Sequence, residues 1–396
     1  MISPSSHDFS VIRPALQSYV DRQILAGVSS AILHGQELLY LDCLGDADIE
    51  NQIALRPDHL FRVFSNTKLI TSMAVLLLMD QGKLRLEDAV DIYLPQLAKR
   101  QVLRPGTTDI HDTEPAKSAI TIRHLLTHTS GLSYGWLDHG TTIYKAYVEH
   151  NVFNAFTPLS HLLDLLEDLP LAFQPGSSWE YSIASDVLAR LVEVISGESF
   201  DLFIRRHIFV PLAMHDTGFV VPESERERLT AYYSGSDPTN RLKRGLKRRD
   251  DAPYPGAYLT PVPRLSGGGG LVSSLPDMLA LLRCLMPGGR QLLKPTTIAM
   301  MMQNQLPDGM GISFPSVGYL PNKGFGFGGA VILQPGLADP AGSAGEFEWG
   351  GIAGTHWWIS PRHNIAGVLM AQRQMSFWHP FSFEFKKLAY QCMGIT

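Results

Sequence analysis

Apolar residues recur at helical spacing from Phe9 through Ile12, Leu16 and Val20 to Ile24, and the pattern stops at Gly27. It predicts an amphipathic helix over residues 8–25. Two β-like runs follow, VSSAILH and ELLYLDCL, separated by Gly35-Gln36 and read as a hairpin. FRVFSNTKLITSMAVLLLMDQGK then gives a short extended piece and a helix from about Ser65 to Gly82. That helix is apolar nearly all round, the mark of a buried one. From about residue 83 to 260 the pattern is mainly helix and loop, including ITIRHLLTH, FNAFTPLSHLLDLLEDLPL and SIASDVLARLVEVISG. The glycine run Gly267–Gly270 leads into a helical segment, SSLPDMLALLRCL. Strand-like runs return in GGAVIL, THWWIS and IAGVLMAQ, the last two joined by the turn-rich SPRHN. The amphipathic stretch SFEFKKLAY predicts a last helix.

Strand signal thus lies at both ends of the chain with helical material between. The simplest architecture is α+β: one antiparallel sheet built from both ends, flanked by terminal helices, with a mainly helical lobe inserted. Residues 1–64 and about 265–396 would form the sheet lobe and about 65–264 the helical lobe, together one catalytic domain over 1–396. No internal repeat or low-complexity linker breaks the pattern.

Composition narrows the function. The 396 residues are 45% hydrophobic and 18% charged, an ordinary globular mix, with a formal net charge of -5. An acidic chain has no cationic excess to neutralise phosphates, so no nucleic-acid partner is expected. The basic cluster RLKRGLKRRDD at 241–251 ends in two aspartates and reads as a solvated loop. Cys43, Cys284 and Cys392 are too scattered for a disulfide framework or a metal site. The start, MISPSSHDFSVIRPAL, lacks the basic and apolar regions of a secretion signal. The densest apolar run, Met73 to Met79, falls short of the roughly 18 residues a bilayer span needs. The expectation is a cytoplasmic protein with no membrane, metal or organic cofactor; the oligomeric state is left open.

Two serines compete as nucleophile. Residues 131–135, GLSYG, match the G-x-S-x-G elbow of a serine hydrolase. An elbow needs a strand entering and a helix leaving, whereas ITIRHLLTHTS before it is helical and WLDHGTTIY after it shows no clear helix start. His356 could be nominated as its partner, but a chain with 14 histidines offers one by chance. Ser133 is therefore expected to be a loop residue. In FSNTK, by contrast, Ser65 and Lys68 stand three apart at a helix start, on one face and within reach of each other. No other lysine in the chain has a serine three positions before it. A serine hydroxyl needs a base, and a lysine serves only where burial or charged neighbours lower its pKa; the apolar helix supplies the burial.

FSNTK, LLTHTSGL (125–132), PGSSWEYSIASDVLARLVEVISG (175–197) and WGG (349–351) resemble, in order and rough spacing, the motifs of the serine β-lactamase/penicillin-binding-protein superfamily. The chain is most similar to the class C β-lactamase-like esterases called family VIII carboxylesterases. The resemblance implies a β-lactamase-like fold of class C type. Ser65 would be the acylated nucleophile, Lys68 its partner, and Tyr181 the tyrosine that shares proton transfer. The N–H groups of Ser65 and Ile352 would form the oxyanion hole, with Trp349, Gly350 and Gly351 beside the substrate. Two departures matter. Ile183 stands where β-lactamases carry asparagine, and no lysine begins the third motif. Trp349 cannot bind a penicillin carboxylate but offers an apolar wall for neutral groups. The expected activity is hydrolysis of small or short-chain acyl esters through an acyl-enzyme. The alternatives are acyl transfer with the same nucleophile, or a weak β-lactamase or D-amino-acid peptidase.

Overall fold

The computed structural model describes residues 7–395 apart from 136, 138, 139, 238 and 316. The first six residues of the start read above as lacking a secretion signal, and part of WLDH, lie outside the described residues. An eight-stranded sheet runs, in spatial order, Lys323–Phe325, Ala330–Ile332, Phe347–Gly351, Thr355–Ser360, Ile365–Ala371, Gly27–His34, Glu37–Asp48 and Ile53–Ala54. Every neighbouring pair is antiparallel. The first hairpin turns at Gly35, and its first strand pairs on the other side with Ile365–Ala371, Val28 opposite Ala371 and His34 opposite Ile365.

Both faces of this sheet are covered, which explains why its central strands read as continuous apolar runs. Val28, Ile32, Leu369 and Trp358 point to one side and pack against Ile12 and Leu16 of the helix Ile12–Asp21 and Phe381 and Phe385 of the helix Pro380–Cys392. Ala31, Leu33, Val368 and Trp357 point to the other side, into the main core shared with the helices Thr67–Asp80, Ala184–Ser196 and Leu275–Leu285. The alternation is the period of a strand. The helix Thr67–Asp80 is buried at every position from Thr67 to Leu78, as its lack of a polar face demands.

The chain between is mainly helical, with two small hairpins that periodicity did not mark, Gln101–Leu103 with Thr113–Pro115 and Tyr233–Gly235 with Leu246–Arg248. The second hairpin carries the basic cluster; Arg248 pairs with Asp48, Glu50 and Asp250, so part of that charge is neutralised within the chain. The helix after the glycine run begins later than expected, because Val272–Ser274 first forms a strand against Leu60–Arg62. The first helix is also shorter than 8–25. Among the described residues, no helix is long and apolar enough to cross a membrane.

Candidate active site

The strand Leu60–Arg62 delivers the chain to a sharp turn. Phe64 sits at φ +43°, a region non-glycine residues seldom adopt, and a 3₁₀ turn over Phe64–Asn66 leads into the helix Thr67–Asp80. The Phe64 ring is held between Tyr232 and Tyr258, with centroids 5.7 and 6.0 Å away. Strand, strained turn and helix are the context that GLSYG lacked, and they occur at Ser65.

Lys68 follows one turn later with 1% of its surface exposed. Its ammonium donates to the Gly268 carbonyl at 2.6 Å and approaches Ser65 Oγ at 3.5 Å. It also lies over the rings of Tyr181 and Tyr134, 4.6 and 5.2 Å from their centroids. The Tyr181 hydroxyl donates to Ser65 Oγ at 2.8 Å. Tyr181 comes from the loop that opens the helix Ala184–Ser196, 116 residues away in sequence. A hydroxyl, an ammonium and a phenol therefore converge, the phenol within proton-transfer reach of Ser65 Oγ and the ammonium 3.5 Å from it.

Four neighbours that sequence reasoning missed complete the site. Tyr134, inside GLSYG itself, stacks on Tyr181 with centroids 5.2 Å apart and planes 5° from parallel. His128 packs against Tyr181 at 5.0 Å; its Nδ1 accepts the Ser182 N–H at 3.2 Å, and burial holds it neutral, well below the usual imidazole range. Asp186, buried on the first turn of its helix, faces the same space; burial raises its carboxyl, opposed by the charge of Arg264. The fourth is Gly268. A Cβ there would stand 2.7 Å from Asp186 Oδ2, 3.3 Å from the Tyr134 hydroxyl and 3.4 Å from Lys68 Nζ, so any side chain at this position must displace the Asp186 carboxylate. Four consecutive glycines were the one available signal of so close an approach.

The third motif lies on the strand Phe347–Gly351, beside the turn over Phe64–Asn66. A Cβ on Gly351 would come within 2.5 Å of the Val63 carbonyl, so the glycine lets the strand press against the segment just before Ser65. Gly350 lies against the His356 ring. Ile352 follows where the ladder ends, and with Phe64 it is among the residues lining a large cleft. Trp349 does not wall that cleft. It is 4% exposed and packs among Tyr181, Phe325 and Phe377 at 5.2–5.5 Å, so its part is to back the Tyr181 ring.

Ser133 is 1% exposed. Its N–H donates to the Tyr147 hydroxyl at 3.2 Å and its carbonyl accepts from Ile183 N–H at 3.1 Å, a tie between the loop and the Tyr181 segment. His356 packs against Phe377 and hydrogen-bonds the Ser376 carbonyl, with no contact to Ser133. Among the described residues no cluster of three metal-binding side chains occurs.

The family model described as Beta-lactamase matches residues 12–379. The chain is 32% identical over 366 residues to Esterase EstB of Burkholderia gladioli, covering 89% of this chain and 87% of that one. It is 28% identical over 385 residues to a monacolin J acid methylbutanoyltransferase of Aspergillus terreus, covering 92% and 89%. Among solved structures, EstCE1, a hydrolase with promiscuous acyltransferase activity, superposes with a TM-score of 0.82 at 25% identity over 98% of this chain and all of that one.

Proposed function

The chain belongs to the beta-lactamase family, and on that premise we propose that it is a serine carboxylesterase acting through an acyl-enzyme on Ser65. The observation that carries this reading is the meeting of Ser65 Oγ with the Tyr181 hydroxyl at 2.8 Å and the Lys68 ammonium at 3.5 Å. With one member of the Lys68/Tyr181 pair deprotonated, as amine or phenolate, Ser65 passes its proton to that pair as Oγ attacks the ester carbonyl. The N–H groups of Ser65 and Ile352 hold the tetrahedral oxyanion. Collapse breaks the bond to the alcohol oxygen, which leaves with a proton from the pair. Water then gives its proton to the same pair, attacks the acyl-enzyme and releases the acid.

The aromatic packing of Trp349 supports an ester over a penicillin, because the cation that would bind the penicillin carboxylate is replaced by a buried ring. Acyl transfer is a second outcome of the same acyl-enzyme, with an alcohol in place of water, and EstCE1 and the methylbutanoyltransferase favour keeping it in view. Replacing Ser65 by Ala abolishes cleavage of p-nitrophenyl butyrate and labelling by a fluorophosphonate. An S65A enzyme that still turns over would refute the assignment. Product analysis with an added alcohol separates transfer from hydrolysis.

A further inference from the structure

The two N–H groups assigned to the oxyanion come from segments of different sheets. Ser65 follows the strand Leu60–Arg62, which is three residues long and pairs with Val272–Ser274 rather than with the eight-stranded sheet. Ile352 follows Phe347–Gly351, the third strand of that larger sheet in spatial order. An oxyanion is stabilised only by donors already in place when its charge forms, so the two must be held at a fixed separation. That requires a tie between the end of one strand and the other sheet.

Gln372, the residue just past the strand Ile365–Ala371, makes this tie. Its side chain is buried, and both ends of its carboxamide meet the backbone of a single residue. Oε1 accepts the Arg62 N–H at 3.2 Å, and Nε2 donates to the Arg62 carbonyl at 3.1 Å. This is the double exchange of a hydrogen-bonded pair in an antiparallel ladder, with one partner supplied by a side chain. Nε2 also donates to the Ala371 carbonyl at 2.9 Å, which fixes the carboxamide to its own strand end. From there the path runs to the other donor. The Ala371 N–H donates to the Gly354 carbonyl at 3.2 Å, and the Gly354 N–H to the Gly351 carbonyl at 3.0 Å. That last carbonyl shares a peptide plane with the Ile352 N–H. The Ser376 N–H, on the same returning segment, holds the Ile352 carbonyl at 2.9 Å. A single longer bond runs beside this path, from the Thr355 hydroxyl to the Val63 carbonyl at 3.3 Å.

We propose that Gln372 is a positioning residue of the oxyanion hole, its carboxamide setting the register between the Ser65 turn and the Ile352 segment. The proposal rests on the esterase reading above and goes beyond it by naming what aligns the two donors. Gln372 is not among the residues that line the cleft, so it acts through the backbone and not on the ester. A displaced donor weakens the transition state more than the bound substrate, and the loss falls on kcat rather than KM.

The test is Gln372→Met, which preserves the length of the side chain and removes its hydrogen bonds. With p-nitrophenyl butyrate, kcat falls about tenfold or more while KM stays within about twofold. Butylboronic acid gives a second reading. Ser65 Oγ bonds to its boron, the serine proton passes to the Lys68/Tyr181 pair, and the tetrahedral anion sets one boron-bound oxygen between the two N–H groups. Its Ki rises about fivefold or more in Q372M. Gln372→Glu keeps the acceptor for the Arg62 N–H, loses both donated bonds, and gives the same split of kcat from KM should Q372M not fold. Tyr390→Phe is the stability control: it removes a buried hydrogen bond to Glu346 on the terminal helix, lowers Tm and leaves kcat and Ki unchanged. Either Gln372 variant, folded and with kcat and Ki within about twofold of wild type, would overturn the positioning role and leave the esterase reading standing. A rise in KM at unchanged kcat would overturn it too, by placing Gln372 at the ester. Turnover by S65A would instead overturn the esterase reading.

Discussion

Replacing Gly268 by Ala tests whether the catalytic cluster is held by packing as tight as its distances imply. Gly268 has no left-handed φ, so alanine meets no backbone penalty there. The added Cβ would stand 2.7 Å from Asp186 Oδ2, and real Cβ atoms essentially never come within 3.0 Å of another heavy atom. At least 0.3 Å of movement is required, and about 0.7 Å restores ordinary contact. Asp186 is buried on its helix, and Gly268 carries the carbonyl that accepts from Lys68 at 2.6 Å, so the shift is passed to Lys68. A misplacement of about 1 Å can cost about 10²-fold in rate, so a shift between these limits predicts roughly a tenfold loss of kcat. Overpacking of this kind costs about 1–3 kcal/mol of stability, a fall of several degrees in Tm. Gly269→Ala is the control, because a Cβ there meets only the Phe64 backbone at 3.7–4.0 Å, ordinary contact. The assay is kcat for p-nitrophenyl butyrate with Tm measured alongside. A G268A enzyme within threefold of wild type would refute the reasoning. So would a G269A enzyme that falls as far, since the loss would then come from the glycine run as a whole and not from the collision.

Ser133→Ala retains kcat/KM for p-nitrophenyl butyrate within about threefold; a loss as deep as that of S65A would restore the GLSYG reading. Trp349→Lys places an ammonium among buried rings, lowers Tm by several degrees and gains no nitrocefin turnover, since an unpaired buried charge costs more than it recruits. Nitrocefin cleavage by W349K would show that the position faces substrate. Lys386→Met leaves Glu346, Glu348 and Asp339 with half their cationic partners and costs about 3–5 kcal/mol, read by urea unfolding. A change under 1 kcal/mol would show that the cluster relaxes by taking up protons. His356 is held down to about 4 by burial, whereas an unfolded imidazole titrates near 6.5. As pH falls below about 6.5 the unfolded chain takes up a proton first, so this contribution is full above that pH and lost down through 4. His356→Gln therefore loses less stability than wild type between pH 7 and 4; parallel Tm curves would refute the sign.

Legibility in the sequence followed the range of the forces involved. The first hairpin, the buried helix and the late strands were readable because apolar spacing records which face meets a core. Ser65 and Lys68 were readable because one helical turn fixes their distance. Tyr181 entered only through resemblance, since nothing local says that a residue 116 positions away will lie 2.8 Å from Ser65. Tyr134, Asp186 and His128 have the same limitation, their roles arising from tertiary contact. Trp349 was assigned correctly to the strand beside the site but not to its side of it. The alternation along Phe347–Gly351 sets which residues turn toward the helices, while the filling of the space behind Tyr181 depends on Phe314, Phe325 and Phe377 from other segments. The helix start was placed two residues early because a 3₁₀ turn shares the helical apolar spacing.

The strand Gly27–His34 is central in the sheet, yet one of its two neighbours, Ile365–Ala371, lies 331 residues beyond it in sequence. Synthesis at about 5–20 residues per second separates the two by roughly 15–70 s. In that interval the residues of the hairpin, of the helix Thr67–Asp80 and of most of the helical segment are synthesised. Through it all, an apolar strand edge waits without its partner. Such an edge pairs readily with another copy in the same state. The yield of this enzyme in a cell therefore turns on translation speed and on holding by chaperones, and slowed elongation after residue 80 should send more of it into aggregates.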